Sequence, residues 1–344
     1  MKKKRRMVDG RLVEEEEDRL FRLGRRAVYG RPERPWRFLW RRYGSGADFR
    51  ARLQAVVRRA PEVMVKVTGG GRGMASIKAH MLYISRRGEL AVEDERGAQS
   101  VGREAVAALA EEWRLAGAEI PLHSHRREAV HIMFSMPPNT DALAVLAAAR
   151  EFARTEFSQH KFAMVLHEPK SDPRSNRPHV HLLVRKQGWH GERLNPRKDD
   201  LAQWREEFAD RLRQRGIAAS ATRRQARGEL QPFMKRRDYH QQQIERKVWS
   251  VRPSPRAAAT EEEVLKSWHE LANALSRSED AQDRALARET LEFVRQMPTV
   301  ARRRAALRDK KRTEMAKLPG QLDLELDTPR NHDPMQRSGP ERTR

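Results

Sequence analysis

The chain has 344 residues, with 71 Lys or Arg against 48 Asp or Glu, so its net charge at pH 7 is +23. It contains no cysteine, which excludes disulfides, thiolate zinc sites and cysteine nucleophiles. The positive charge indicates a polyanionic partner such as nucleic acid. No apolar run reaches the roughly 18 residues that a membrane span requires.

The first 57 residues are a basic segment, dense in arginine and interleaved with Trp36, Phe38, Trp40 and Tyr43. Its start is followed by acidic residues, so we do not expect a secretory signal. We predict a short helical N-terminal extension. Its simplest role is a solvated basic arm that contacts DNA phosphates without reading sequence.

Residues 58–228 alternate between strand and helix patterns and are predicted to form one domain. The apolar residues Met74, Ile77, Met81 and Ile84 have helical spacing. The glycine-rich run 69–73 lacks a following Gly-Lys-Ser/Thr, so we interpret it as a tight turn before that helix, or as amides that hold a phosphate. The pattern favours an α+β fold with a mainly antiparallel sheet flanked by helices. The other predicted elements are strands at 63–67, 129–136, 161–168 and 177–185, and helices at 101–117, 141–157 (capped by Thr140 or Asp141) and 199–215.

The remainder of the chain is polar. We predict a charged helical region over 229–317, broken by prolines near 253–255. Residues 318–344 carry few apolar side chains and are predicted to be a disordered basic tail.

The most informative motif is His179-Val180-His181. Side chains alternate along a strand, so both histidines share one face while Val180 points into the core. Two adjacent imidazoles can form a two-ligand metal platform. An incidental pair is the alternative, as for His123 and His125, which have the same spacing in a predicted loop.

A third histidine and a serine end neighbouring predicted strands. If the strand ending at His167 pairs with the His179 strand, the three imidazoles can meet at one rim. Ser135 shares its strand face with His131 and Met133, and its hydroxyl could donate to a phosphate or cap a turn. Alone, His167 has the simpler interpretation of a surface histidine.

Tyr83 lies on the helix after the glycine-rich run, beside Arg86 and Arg87. Its phenol would sit in a basic, phosphate-attracting environment. The alternative is an ordinary packing residue at the edge of the apolar stripe.

Four groups of residues resemble the motifs of DNA relaxases. These are mobilisation nucleases of the HUH endonuclease superfamily, the class that includes the T-DNA border endonuclease. The groups are residues 77–88, residues 131–137 with Thr140 and Asp141, His167 with residues 179–181, and the basic segments 213–217 and 223–228. The resemblance covers about residues 60–228. Rolling-circle initiators of the superfamily usually place their tyrosine after the histidine motif, whereas here the tyrosine precedes it.

The resemblance implies strand-specific nicking at a DNA transfer origin during conjugative mobilisation of a plasmid or integrative element. Tyr83 would be the nucleophile, leaving a 5′-phosphotyrosine and a free 3′-OH. The three histidines would bind a divalent metal ion, Mg²⁺ or Mn²⁺. Ser135, Arg86 and Arg87 would contact the DNA.

The loop between His167 and the histidine pair departs from the family pattern, which commonly has a short loop with an acidic residue. Here residues 168–178 separate them. We assign Asp172 as the candidate acid that orients a histidine or aids proton transfer, with Glu168 second. An aspartate that starts the turn before Pro173 is the alternative.

The implied partners are single-stranded DNA of the transfer origin, relaxosome accessory proteins and the coupling protein of a type IV secretion channel, in a bacterial cytoplasm. The tail 319–344 would carry a secretion signal or be a solvated end. Two other functions fit the residues: a non-catalytic DNA-binding accessory protein of the same fold, and a zinc protein stapled by its histidines.

Overall fold

The computed structural model describes residues 46–170, 175–229 and 255–316, and the structural statements below concern these residues. The strands are β1 (Met64–Gly69), β2 (Val92–Asp94), β3 (Gln99–Ser100), β4 (Ala129–Ser135), β5 (Phe162–His167) and β6 (His179–Arg185). The helices are α1 (Gly46–Val57), α2 (Met74–Ile84), α3 (Arg103–Leu115), α4 (Ala142–Glu156), α5 (Lys198–Gln214), α6 (Pro255–Ser276), α7 (Ala281–Arg295) and α8 (Pro298–Ala316).

The six strands form one sheet in the order β1-β4-β6-β5-β2-β3, and every neighbouring pair is antiparallel. Helices cover both faces of this sheet. The predicted α+β class, with an antiparallel sheet flanked by helices, is confirmed. The strand β6 lies between β4 and β5, so residues on these three strands can converge on one site.

The first face of the sheet packs against α4 and α5. Alternate residues of β6, Val180, Leu182 and Val184, point into this core, as the sequence predicted. Phe152 of α4 and Phe208 of α5 both lie against Phe134 of β4, with ring centroids 5.0 Å apart in each case. Asp141 caps α4, since its carboxylate accepts from the Leu143 amide at 2.9 Å.

The second face of the sheet packs against α2 and α3. The predicted apolar stripe of α2 is fully formed, and Met81 and Ile84 are completely buried. Trp113 of α3 is the largest side chain in this core. This second face also carries the histidines at the ends of β5 and β6.

A third apolar cluster joins α1 to α6 and α7. Its members include Phe49 and Leu53 of α1 and Trp268 of α6. The Trp268 indole donates to the carbonyl of Ala226 at 2.8 Å. The described residues up to Val300 form one compact unit and those from Ala301 another. The domain limits predicted at 57/58, 228/229 and 317/318 stay predictions.

The glycine-rich run forms a tight turn before α2, and its geometry explains two glycines. A Cβ at Gly70 would lie 2.2 Å from the Ala129 carbonyl oxygen. At Gly71 it would lie 2.4 Å from the Ile77 side chain. The first amides of α2, those of Met74 and Ala75, donate to carbonyls of residues 121 and 122. These two amides are therefore already used within the protein, which favours the turn over the phosphate-binding alternative.

Two short strands, β2 and β3, were not predicted, because elements of three and two residues carry no readable periodicity. In the part of the chain that the structure describes, no helix is long and apolar enough to cross a membrane. The predicted basic extension up to residue 45, the loop residues 171–174 and the tail from residue 317 lie outside the described residues.

Candidate metal and DNA site

Three histidines converge at the rim shared by β5 and β6. His167 pairs in register with His179 across the two strands, and His181 follows on the same face. One ring nitrogen from each of the three lies within 4.8 Å of the others. His167 and His179 are buried and His181 is half-buried. The strand pairing that three ligands require is therefore present.

Two of these imidazoles have fixed orientations. Nε2 of His167 donates to the carbonyl oxygen of Ile84 at 2.6 Å, and Nδ1 of His179 donates to that of Arg177 at 2.9 Å. A neutral imidazole that donates through one nitrogen presents a lone pair on the other. Nδ1 of His167 and Nε2 of His179 are then the nitrogens that can bind a metal, each with the outer hydrogen bond typical of metal-binding histidines.

The third imidazole contacts a fourth histidine. Nδ1 of His181 lies 2.9 Å from Nε2 of His131 on β4, and Nδ1 of His131 lies 2.6 Å from the Thr68 hydroxyl. His80 of α2 lies edge-on to His131, with centroids 4.4 Å apart. Five imidazoles therefore form a continuous cluster on the second face of the sheet.

Burial keeps the inner members of this cluster neutral. It lowers the pKa of His131 to about 3 and that of His181 to about 2, with a smaller contribution from neighbouring histidines. The pKa of His80 is lowered for the same reason, burial. Neutral imidazole is the form that binds a metal ion. His181 is therefore in the form that can act as a ligand, and three imidazoles grouped in this way suit a divalent cation that accepts nitrogen ligands.

Tyr83 lies on the last turn of α2 and is 74% exposed. Its chain neighbour Ile84 supplies the carbonyl to which His167 donates. The Tyr83 ring lies 6.2 Å from that of His80, centroid to centroid. An accessible phenol is therefore tied through the backbone to one of the candidate metal ligands.

The turn that follows Tyr83 has an unusual backbone. Arg86 and Arg87 have φ angles of 53° and 61°, values that residues other than glycine rarely adopt. The Ser85 hydroxyl accepts from the Gly88 amide at 3.1 Å and closes the turn. The turn holds both predicted arginines beside the tyrosine.

A third arginine, Arg103, reaches the same place from α3. The Gly102 amide donates to the Gly88 carbonyl at 2.9 Å, which brings the start of α3 against the turn. A cavity of about 640 Å³ is lined there by Tyr83 and all three arginines. Ala79 and Leu82 line the rest of it. The site therefore combines a phenol, an apolar wall and three positive charges.

Ser135 is brought to the same rim but is buried. Its register partner on β6 is His179. Its hydroxyl donates to the carbonyl of Pro178 at 3.2 Å, which matches the alternative role of a strand-end hydroxyl. A contact between Ser135 and DNA stays a prediction.

The structure describes only one of the two candidate acids. Asp172 lies outside the described residues. Glu168 is half-buried and directly follows His167 at the end of β5. His123 and His125 lie in a loop, as predicted, and both are exposed.

Four residues at the site were not assigned from the sequence: Thr68, His80, His131 and Arg103. The signals for two of them were present, because His131 shares a strand face with Ser135 and His80 lies one helical turn before Tyr83. Arg103 and Thr68 carry no such signal, since contacts between distant segments bring them to the site.

No protein-family model matches the chain, and a search of curated proteins gave no match.

Proposed function

We propose that this protein is a metal-dependent DNA relaxase of the HUH type, which nicks one DNA strand through a covalent tyrosine intermediate. The observation that carries the proposal is the hydrogen bond that joins one of the three histidines to the end of the helix that carries Tyr83. The helix end that presents Tyr83 is held, through the Ile84 carbonyl, by the Nε2 of His167. The helix end that carries the proposed nucleophile is therefore anchored to the trihistidine site.

Tyr83 is the nucleophile in this proposal. Its oxygen forms a bond to the scissile phosphorus as the bond from phosphorus to the 3′ oxygen breaks. The phenol loses its proton, and the departing 3′ oxygen gains one, which leaves a free 3′-OH and a 5′-phosphotyrosine. One phosphoester replaces another, so the strand can later be rejoined by the reverse reaction.

The residues that would hold a divalent cation are His167, His179 and His181. When bound, such an ion neutralises charge on the phosphate and polarises it towards attack. All three would-be ligands are imidazoles, which bring no negative charge, so they would leave the ion's positive charge undiminished for an anionic substrate. Mg²⁺ and Mn²⁺ were expected from the resemblance, but imidazole nitrogens also suit later first-row ions.

Arg86, Arg87 and Arg103 supply the electrostatic attraction for the strand. The cavity that they share with Tyr83 has room for a nucleotide, with the phosphate beside the guanidinium groups and the base against Leu82 or the tyrosine ring. Single-stranded DNA suits this arrangement because its bases are free to turn into a cavity.

The zinc-staple alternative has less support. His167 and His179 already sit on strands that pair over six register positions. Apolar cores cover both faces of the sheet around them, so a metal is not needed to hold the strands together. The non-catalytic DNA-binding alternative does not account for the exposed Tyr83 beside the arginines.

The test is a covalent-adduct assay. The full chain is incubated with Mn²⁺ and a 3′-labelled single-stranded library that has a randomised central segment. Denaturing electrophoresis then detects labelled protein, and mass spectrometry maps the modified peptide. We expect the label on the peptide that contains Tyr83. DNA binding without any adduct would favour the non-catalytic alternative.

A further inference from the structure

The outer hydrogen bond of His181 goes to another histidine, His131. The corresponding bonds of His167 and His179 go to main-chain carbonyls, which can only accept. His131 can either donate or accept, so the geometry alone leaves two proton arrangements for the chain Thr68–His131–His181.

These two arrangements have different consequences for metal binding. If the Thr68 hydroxyl donates to Nδ1 of His131, then Nε2 of His131 donates to Nδ1 of His181. The remaining proton of neutral His181 is then on Nε2, which cannot bind a metal. If Thr68 accepts instead, His181 donates through Nδ1 and its Nε2 carries a lone pair.

We propose that Thr68 and His131 are positioning residues that hold His181 in the metal-binding tautomer. This inference rests on the metal site of the proposed function. Thr68 accepts from His131, and His131 accepts from His181. The Thr68 side chain is exposed, so its own hydroxyl proton can go to water.

The backbone around Thr68 is built for this contact. The register between β1 and β4 shifts between Val67 and Gly69, where Gly69 faces His131. Thr68 is thus the extra residue of a β-bulge, a feature that redirects a side chain at the edge of a site. On the other strand, His131 is 5% exposed. Its ring plane lies within 19° of that of His181, with centroids 5.0 Å apart, so the two rings meet edge to edge through their nitrogens.

The choice of an imidazole over a carboxylate has a chemical consequence. A carboxylate partner would add a negative charge beside the metal and reduce its attraction for phosphate. The chain of Thr68 and His131 orients His181 without adding charge. It is therefore suited to a site whose substrate is an anion.

The experiment compares matched variants by metal affinity, without DNA. His131→Phe keeps a ring but removes the acceptor, whereas His131→Gln keeps an amide oxygen that can accept. Thr68→Val removes the hydroxyl, and Thr68→Ser keeps it. Co²⁺ affinity is measured by visible absorption and calorimetry, and thermal unfolding checks that each variant is folded.

We expect Co²⁺ affinity to fall about 10- to 100-fold in His131→Phe and by a smaller factor in Thr68→Val. The two conservative variants, His131→Gln and Thr68→Ser, should stay within a few fold of the parent. In the Zn²⁺-loaded protein, imidazole ¹⁵N NMR should find both His131 and His181 protonated at Nδ1. Equal affinities in the parent and all the variants, or a metal-coordinated nitrogen on His131, would overturn the proposal.

The result is separable from the outcome of the DNA assay. A protein that shows these affinities and tautomers but forms no DNA adduct supports the role of Thr68 and His131, while the relaxase proposal fails. A parent protein that binds neither Co²⁺ nor Zn²⁺ overturns the role of Thr68 and His131.

Discussion

The Nε2 of His167 donates a hydrogen bond to the main-chain carbonyl of Ile84 at 2.6 Å. This bond joins the end of β5 to the last turn of α2, two elements that lie far apart in the chain. It does two things at once, because it fixes which nitrogen His167 presents and it anchors the helix end that carries Tyr83. Tyr83 and the candidate metal site should therefore respond together to changes at this contact.

Tyr83→Phe should abolish the covalent adduct and leave affinity for single-stranded DNA within a few fold. The change removes only the hydroxyl of a side chain that is 74% exposed, so the fold is not affected. Adduct formation and fluorescence-anisotropy binding are measured side by side. Tyr29, Tyr43 and Tyr239 lie outside the described residues, and an adduct that maps to any of them would refute the assignment.

Replacing His179 and His181 together with Ala should abolish metal-stimulated nicking, because two of the three proposed ligands are lost. The core residues Val180 and Leu182 are untouched, so the far-UV circular dichroism should match the parent. The matched control is His123→Ala with His125→Ala, the same spacing in an exposed loop. Full nicking by the His179/His181 variant, or an equal loss of nicking in the control, would refute the assignment of the three-histidine metal site.

Chelation should stop nicking without unfolding the protein. The strands that carry the three histidines are held by their pairing and by the cores on both faces. Metal binding still adds stability by mass action, about 2.7 kcal/mol when the free ion is at about 100 times its Kd. Thermal unfolding with EDTA should therefore remain cooperative at a lower midpoint. Collapse of the circular dichroism signal on chelation would instead favour a structural zinc staple.

The sequence predicted the trihistidine site better than the surface around Tyr83. Alternation along a strand is a local property, so the shared face of His179 and His181 could be read directly. His167 required one assumption, that its strand pairs with theirs. Arg103 depends on the contact between the turn and α3, and Thr68 on a β-bulge. Such contacts join distant segments and leave no periodic signal in the chain.

Arg103→Gln should weaken single-stranded DNA binding and make it less sensitive to salt. One phosphate contact corresponds to a change of about 0.7 in the slope of log K against log salt on single strands. The control is Arg288→Gln, which removes the same charge from an exposed position of α7 that does not line the Tyr83 cavity. An equal loss in both variants would mean that Arg103 contributes only to the net charge of +23.

Gly88→Ala should lower both stability and adduct formation. Gly88 has a φ of +95°, and a Cβ there would lie 2.3 Å from the Gly102 carbonyl carbon. Backbone strain and the steric clash together should cost about 3 kcal/mol. The turn must then separate from the start of α3, which moves Arg103 away from Tyr83.

Gly117→Ala is the control that separates backbone strain from the steric clash as causes of the lost stability. Gly117 has a φ of +69° but open space around its Cβ position, so its substitution carries only the conformational cost, about 1 kcal/mol. Chemical denaturation gives the two free energies of unfolding, and the adduct assay gives the two activities. If Gly117→Ala matches Gly88→Ala in both, the contact between the turn and α3 has no specific role. A larger loss of both quantities in Gly88→Ala means that this contact positions the arginines around the tyrosine.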